Sequence, residues 1–321
     1  MTIAFSHRSN RRFNVRPQSK FGTDLSTGVS TASEAITKAG LNWDVDIAPL
    51  YSGEPGSQVL IEGARSVKRT TDGMILGIVG RQYKPIRNVD AFNWFDSIVQ
   101  SGKASYSAAG QFDKGRSIWV RAKLDKSSEI VTGDVVDQYL LLVNSHDGTG
   151  ACKVVITPYR GLCSNGLSAA IRKADQSLSV RHTKNADNAF AQANQLLGVV
   201  EKQIDHTVEV YKALAKAQTN AAQVNEVLNR LFPDNPEAEN HTRTEAKRSL
   251  VLDLFEGQGR GLDLPGVKGT AWGLYNAITE GVDHWFSAND EAEQHAERIL
   301  VGNGANLKGK ALKTLEDLVL V

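Results

Sequence analysis

The stretch from Gln138 to Arg160 constrains the fold more than any other part of the chain, because two apolar runs flank a turn signal. Asp147 and Gly148 form that signal, and an Asp-Gly step between β-type runs is typical of a hairpin. In the first run both alternating sets of side chains are apolar, which predicts a strand covered on both faces. In the second run Cys152 alternates with Lys153, so one of its faces is polar. We therefore expect this hairpin at the centre of a sheet.

The turn of this hairpin carries the densest group of potentially functional side chains in the sequence. They are Asn144, Ser145, His146 and Asp147. Imidazole and carboxylate groups bind divalent ions and exchange protons near neutral pH, so a hydrolytic or metal-binding role stays open. Adjacent side chains in a turn usually point apart, however, and Asp before Gly is explained by backbone preference. We therefore predict no catalytic residue here, and neither a metal nor a cofactor for the chain.

Composition excludes several classes of protein. Of the 321 residues, 41% are hydrophobic and 23% are charged, which is typical of a folded chain rather than a disordered one. No apolar run reaches the roughly 18 to 20 residues of a membrane-spanning helix, and the N-terminus lacks the apolar segment of a secretion signal. Cys152 and Cys163 are too few for a disulfide framework. We expect a cytoplasmic protein that makes no membrane contact and keeps its thiols reduced.

Charge is distributed unevenly along the chain. Residues 1–186 hold 24 Lys and Arg against 16 Asp and Glu, a balance of +8, whereas residues 187–321 hold 13 against 20, a balance of −7. A basic part joined to an acidic part fits a polyanion-binding face backed by a solvated or partner-contacting face. The alternative is that charge differs between the two parts without functional consequence.

The order of predicted elements indicates the fold class. Tight hairpins surround one predicted core helix, Val89 to Gln100, for which Asn88 is a candidate N-cap. This pattern favours an α+β fold with an antiparallel β-sheet, followed by an α-helical C-terminal region. We divide the chain into a basic flexible arm (1–40), an α+β domain (41–186) and a helical region (187–321). A seven-residue apolar repeat at the start of the last region predicts one long helix that packs within the chain.

Other chemical motifs are weak. The glycine-rich stretch from Gly257 to Gly266 lacks the residue order of a P-loop and does not join a strand to a helix. Cys163 and His182 would make a nucleophile and a base if the fold joined them, but neither carries a local signature. A buried structural thiol is the simpler interpretation.

A basic and aromatic strand face gives the polyanion hypothesis more support. Trp119, Arg121 and Lys123 share one side of a predicted strand, and an aromatic ring beside cations holds single-stranded nucleic acid without reading its sequence. Further residues extend this track if the fold brings them together. These are Arg81, Tyr83, Lys84, Lys114, Arg116, Lys153, Arg160, Arg172, Lys173, Arg181, His182 and Lys184. The alternative is a solvated strand face with one exposed tryptophan.

Five segments carry a family resemblance. They are GMILGIVGRQYKPIRNVDAFNWFDSIV (73–99), GRSIWVRAKL (115–124), YLLLVNSHDGTGACKVVITPYRGLCSNGL (139–167), VRHTKN (180–185) and TAWGLYNAITEGVDHW (270–285). With them, the chain from Leu50 to about Lys310 resembles a phage- and plasmid-like protein family of largely unassigned function. Members sit in phages, prophages and mobile elements, often among DNA-metabolism genes, so the resemblance implies a DNA role. In architecture alone, the chain also looks like the ring-forming single-strand annealing proteins of phage recombination.

We therefore expect a sequence-tolerant single-stranded DNA-binding protein, a homo-oligomer that promotes strand annealing in phage or mobile-element recombination or replication. Two other classes remain. One is a metal-dependent nuclease or other hydrolase that uses His146, Asp147 and His182. The other is a non-catalytic structural or host-interaction protein of a phage.

Overall fold

The structure is a computed structural model of the chain. It describes residues 21–162, 165–168, 178–183, 196–234, 237, 242–286 and 290–319. Residues 1–20 of the predicted basic arm lie outside the described residues, as do Cys163, Arg172, Lys173 and Lys184.

Ten strands form two antiparallel sheets within the described part of the chain. The strands are β1 (Thr23–Asp24), β2 (Val45–Ser52), β3 (Val59–Arg69), β4 (Ile75–Gly80), β5 (Ala104–Phe112), β6 (Ser117–Val131), β7 (Asp134–Ser145), β8 (Cys152–Arg160), β9 (Asn165–Gly166) and β10 (Leu178–Val180). The main sheet has the order β1-β5-β6-β7-β8-β10, with β9 paired to β8, and β2-β3-β4 form a smaller sheet. Every pairing is antiparallel, as tight hairpins require.

The β7–β8 hairpin lies where the sequence pattern placed it. Strand β7 pairs with β6 on one side and with β8 on the other, so it is a central strand. Along β8 buried and half-buried residues alternate from Cys152 to Arg160. Gly148 has a φ of +82°, a left-handed conformation that strongly favours glycine, which confirms the predicted turn.

Eight helices complete the described fold. They are α1 (Ala32–Lys38), α2 (Asn88–Ile98), α3 (Leu196–Lys216), α4 (Ala221–Leu231), α5 (Thr242–Asp253), α6 (Ala271–Glu280), α7 (Ala292–Leu300) and α8 (Asn303–Val319). Helices α2, α5 and α6 continue into five-residue π-helical turns. None of the helices in the described ranges is long and apolar enough to cross a membrane.

Helix α2 is the core helix of the β-rich part. Its residues Phe92 and Phe95 are fully buried and belong to the same apolar cluster as Val120 and Leu142 of the main sheet. The helix begins at Asn88, so the prediction that Asn88 caps it is wrong. The Asn88 side chain is instead buried, where its amide nitrogen donates to the Leu41 carbonyl at 3.0 Å.

The start of the described chain packs on the sheet. Strand β1 pairs with Ala108 and Ala109 of β5, and the side chains of Phe21 and Leu25 are buried. The prediction of a flexible arm is therefore wrong for residues 21–40. A flexible arm over residues 1–20 stays a prediction.

The C-terminal helices build a second apolar core. Within helix α3, Val200 and Ile204 face the sheet core, whereas Tyr211 and Leu214 belong to the helical core with Trp272. These inward residues follow the predicted repeat, and they confirm a helix that packs within the chain. The α+β class with a helical C-terminal region is therefore confirmed. The boundary at residue 187 stays a prediction, because α3 contributes to both cores.

One buried ion pair joins the sheet to the helical layer. Arg160 and Asp134, whose side chains are inaccessible to solvent, form two hydrogen bonds of 2.6 and 2.7 Å. The indole nitrogen of Trp272 donates to the same carboxylate at 2.9 Å, and Arg160 donates to the Arg260 carbonyl at 2.9 Å. Partners from two strands, a helix and a loop therefore satisfy two buried charges.

We predict that Asp134→Asn lowers the free energy of unfolding by about 3 to 5 kcal/mol, because it leaves the Arg160 guanidinium buried without its counter-charge. Urea unfolding followed by circular dichroism measures the loss. Asp317→Asn removes the acid of an exposed pair on α8 and serves as the control, with a midpoint close to wild type. Equal effects of the two substitutions would show that the buried pair does not anchor the sheet to the helices.

Candidate nucleic-acid interface

The main sheet has a covered face and a partly open face. Side chains such as Val120 and Leu142 on the covered face pack against α2 and α3. On the opposite face, which we call the outer face, the register aligns Lys123 of β6 with Tyr139 of β7 and Thr157 of β8. These three residues are half-buried. This end of the sheet therefore offers polar and aromatic side chains to solvent.

An arginine and two tyrosines meet on the outer face. The guanidinium carbon of Arg121 lies 4.9 Å from the centroid of the Tyr139 ring, which is within the range of a cation–π contact. Tyr139 meets Tyr159 edge to face, with centroids 5.9 Å apart. Arg121 also donates to the Ser107 hydroxyl at 3.2 Å, and burial lowers the pKa of its guanidinium. The result is an ordered aromatic and cationic surface.

Lys123 extends this surface but is partly neutralised. Its ammonium donates to Asp137 at 2.8 Å, and this hydrogen bond raises the pKa of Lys123. Burial raises the pKa of Asp137, but hydrogen bonds from Lys123 and Ser127 outweigh that effect and lower it. A phosphate that binds Lys123 therefore competes with Asp137.

Trp119 does not belong to the accessible surface, so its predicted role in base stacking is wrong. Its side chain is 1% exposed and stacks on Phe112 with centroids 5.9 Å apart. Helix α7 covers this end of the outer face with Ala296 and Ile299. The strand alternation correctly placed Trp119 on the same face as Arg121 and Lys123. The helix that covers Trp119, α7, lies more than 170 positions later in the chain. No local pattern reveals that cover.

Arg160 is also excluded from the predicted basic track. Its alternation with Tyr159 placed it on the covered face, and the ion pair with Asp134 buries it completely. A buried, fully hydrogen-bonded guanidinium has no donor to offer a phosphate. Arg160 is therefore a structural residue.

The other predicted basic residues fall into separate groups. Lys153 lies at the β10 edge, where it pairs with Ser179, and the strand alternation puts it on the outer face, whereas Arg181 is exposed just after the end of β10. Arg81 and Lys84 are exposed on the loop after β4, and the Lys84 amide donates to the His182 carbonyl at 3.0 Å. Arg116 is exposed on the β5–β6 turn, where it pairs with an aspartate. The basic residues thus form no single continuous track.

Tyr83 is half-buried and already occupied by protein contacts. Its ring stacks on His182 with a centroid distance of 4.9 Å and an interplanar angle of 7°, and its hydroxyl donates to the Ser145 carbonyl at 3.2 Å. Burial raises the pKa of Tyr83. One face of the ring is therefore unavailable for a base, which corrects the expectation that Tyr83 is a free stacking platform.

The turn between β7 and β8 that carries Asn144, Ser145, His146 and Asp147, which we call the signature turn, is built into the core rather than into a cleft. Asn144 and His146 are fully buried, and Ser145 is 5% exposed. His146 Nε2 lies 2.7 Å from the side-chain oxygen of Asn88, and its ring lies against Trp43 with centroids 5.3 Å apart. A substrate cannot reach His146 without opening the fold.

Asp147 is hydrogen-bonded within the turn rather than to His146. Its carboxylate accepts hydrogen bonds from the Ser145 hydroxyl and, at 2.8 Å, from the Thr149 amide. Burial raises the pKa of Asp147, but these bonds outweigh that effect and lower it. Strand β4 packs closely over the turn, since a Cβ atom on Gly77 would lie 2.5 Å from the Asp147 backbone. The turn thus joins the two sheets.

The predicted hydrolytic set is not assembled as a catalytic constellation. Ser145 donates to Asp147 rather than to a histidine, and the lowered pKa of Asp147 makes its carboxylate a weak base for activating the hydroxyl. Among the described residues, no group of three His, Cys, Asp or Glu side chains has the arrangement of a metal site. Cys152 is a free, buried thiol whose pKa is raised by burial.

The residues that sequence reasoning missed are Tyr139 and Tyr159. Their positions in two alternating patterns were visible, but only the strand register brings Tyr139 beside Arg121 and Tyr159 beside Tyr139. Pairing β6 with β7 through the predicted hairpins is the signal that identifies this cluster.

A comparison with models of protein families assigns the chain to one family. The family model described as a domain of unknown function, DUF932, matches residues 75–300, which are 226 of the 321 residues. The chain belongs to the DUF932 family. The DUF932 region contains strands β4 to β10 and the signature turn, whereas β1, β2 and β3 precede it. No curated protein and no solved structure matches the chain.

The two buried histidines of this region make stability depend on pH. Burial lowers the pKa of His146 to about 3, helped by His182, and burial lowers the pKa of His182 to about 4. Both values lie below the roughly 6.5 of an unfolded histidine, so unfolding takes up protons at pH values between about 4 and 6.5. Their contribution to stability is present above that window and is lost as the pH falls through it.

We predict that the wild-type chain loses stability from pH 7.5 to pH 5 with a slope that the double variant His146→Gln/His182→Gln makes shallower. Each single variant should remove part of the slope, because each removes one group that is protonated on unfolding. Urea midpoints measured at half-unit pH intervals test this. A double variant with the wild-type slope would mean that both histidines are already protonated in the folded state or titrate normally.

Proposed function

We propose that this DUF932 protein binds single-stranded DNA without reading its sequence, through the open end of the outer face. The observation that supports this proposal is the contact between Arg121 and Tyr139. Tyr159 lies beside Tyr139, and Lys123 pairs with Tyr139 across the sheet. Each base has a π-face that a tyrosine ring can stack on, and the adjacent cations attract phosphates. The side chains are held before binding, so little conformational entropy is lost on binding.

The cations at the β10 edge extend the binding surface. Lys153 is on the outer face by register and Arg181 is exposed just after β10, and neither belongs to an ion pair among the described residues. By register Lys123 pairs with Tyr139, whereas Lys153 lies in the row of Val143 and Trp119, so a strand that reaches both cations runs obliquely across β7 and passes Tyr139. Arg81 and Lys84 on their separate loop provide a second, peripheral set of phosphate contacts.

The biological setting belongs to the same proposal. The chain acts as a homo-oligomer that anneals strands in phage or mobile-element recombination or replication, in the host cytoplasm. The resemblance of its segments to a phage- and plasmid-like family and its architectural likeness to annealing proteins support this setting. The balance of −7 over residues 187–321 favours a helical layer that faces away from DNA.

We predict that Tyr139→Ala weakens single-strand affinity by about 1 to 3 kcal/mol, roughly 5- to 150-fold in Kd, because it removes a stacking platform. Fluorescence anisotropy with a labelled oligonucleotide at ~50 mM salt measures the change. Tyr51→Ala is the matched control, since Tyr51 is 52% exposed on the smaller sheet and should not contact the strand. Equal affinities of Tyr139→Ala and wild type would remove the tyrosine from the site.

We predict that Lys153→Gln lowers affinity and reduces the salt slope by about 0.7, the value for one phosphate contact on a single strand. Lys313→Gln, on the exposed surface of α8, should retain the wild-type slope. The titrations are run with and without Mg²⁺, and the oligonucleotide is recovered intact if the protein is a binder. Absence of binding at ~50 mM salt would overturn the proposal, and Mg²⁺-dependent cleavage would favour the hydrolase instead.

A further inference from the structure

Three buried polar atoms around the signature turn have no hydrogen-bond partner among the described residues. They are Asn144 Oδ1, His146 Nδ1 and His182 Nε2. Asn144 and His146 are two residues apart at the end of β7, so they point to the same side of the strand. His182 follows β10. A buried polar atom without a partner is energetically costly, so three together require an explanation.

The three side chains are anchored on one short segment before and within α2. The Ile86 carbonyl accepts a hydrogen bond from the Asn144 amide nitrogen at 2.9 Å, and the Ile86 amide donates to His182 Nδ1 at 3.2 Å. His146 Nε2 lies 2.7 Å from Asn88 Oδ1. The unpaired atoms are the remaining polar atoms of these same groups, which are all anchored on Ile86 or Asn88, and His182 is close enough to His146 to lower its pKa.

The hydrogen bonds determine which of the unpaired atoms carries a proton. Asn88 uses its amide nitrogen on the Leu41 carbonyl, so its oxygen accepts from His146 Nε2, and His146 Nδ1 bears a lone pair. His182 Nδ1 accepts from Ile86, so the neutral ring carries its proton on Nε2. Asn144 donates through nitrogen, which leaves its oxygen as an acceptor. The set contains one donor and two acceptors.

We propose that Asn144, His146 and His182 hold one buried water molecule. The water accepts from His182 Nε2–H and donates its two protons to His146 Nδ1 and Asn144 Oδ1, which satisfies all three atoms. Buried waters in proteins typically make about three such bonds. The rings of Trp43 and Tyr83 lie against the two histidines, and all three unpaired atoms are buried from bulk solvent.

A metal ion does not fit this set. A metal ligand needs a lone pair, and His182 Nε2 carries a hydrogen as long as Nδ1 accepts from Ile86. Only His146 Nδ1 and Asn144 Oδ1 then face the ion, which is too few protein ligands for a divalent cation. Water supplies both kinds of hydrogen bond without any change of tautomer.

The water gives the signature residues a shared role that does not depend on DNA binding. It connects the end of β7 with the segment after β10, and through Ile86 and Asn88 both are connected to the start of α2. These segments are distant in sequence, and direct contacts within the described part of the chain leave the three atoms unsatisfied. The proposal therefore goes beyond the proposed function and stands independently of it.

A high-resolution crystal structure of the full chain, grown with and without Zn²⁺, tests the proposal. We expect one water peak within about 2.7 to 3.2 Å of all three atoms in both crystals and no anomalous signal from zinc. In solution, nitrogen-15 spectra of the histidine rings should show both protons on Nε2. The His182 Nε2 proton should also show a nuclear Overhauser effect to a long-lived water.

Three results would overturn the proposal. One is a direct hydrogen bond between His146 and His182 that leaves no space for a water. Another is a zinc ion bound by the two rings, which requires a reversed His182 tautomer. The third is a His182 ring protonated on Nδ1 in solution. The wild-type chain is used throughout, so a variant that fails to fold cannot obscure the answer.

Discussion

The ion pair between Arg160 and Asp134 is the interaction on which the two halves of the structure depend. Taking two charges out of water is costly, and the cost is offset only when every donor and acceptor finds a partner. Here the partners are the Trp272 indole and the Arg260 carbonyl, both from the helical layer. The central hairpin can therefore keep Arg160 buried only while the helices are in place, which couples the sheet to the C-terminal region.

The helical layer also decides which part of the sheet can bind a ligand. Helix α7 covers the end of the outer face that holds Trp119, and it leaves the end that holds Lys123 and Tyr139 open. A single β-sheet face is thereby divided into a packing surface and an accessible surface. The proposed DNA site is formed at the border between them, where Arg121 is ordered by Tyr139 and Ser107.

The signature turn illustrates how a polar motif can serve structure rather than catalysis. Asp147 organises the turn, whereas Asn144 and His146 reach inward to α2 and to the neighbourhood of His182. Because neutral histidines are both donors and acceptors, they can join several backbone segments inside a core where charged groups would be too costly. The family resemblance in these residues is thus compatible with a role in assembling the fold.

Local sequence determined much of the secondary structure of this protein. The alternation in β8, the turn at Gly148 and the inward stripe of α3 were all predictable, because each depends on backbone preference or on a two- or seven-residue period. The tertiary structure decided the roles of individual side chains. In the folded chain Trp119 and Arg160 are core residues, whereas Tyr139 is partly exposed. Their exposure differs because it depends on which distant element covers each strand face. The period of a strand defines its two faces, but it contains no information about the helix that packs on one of them.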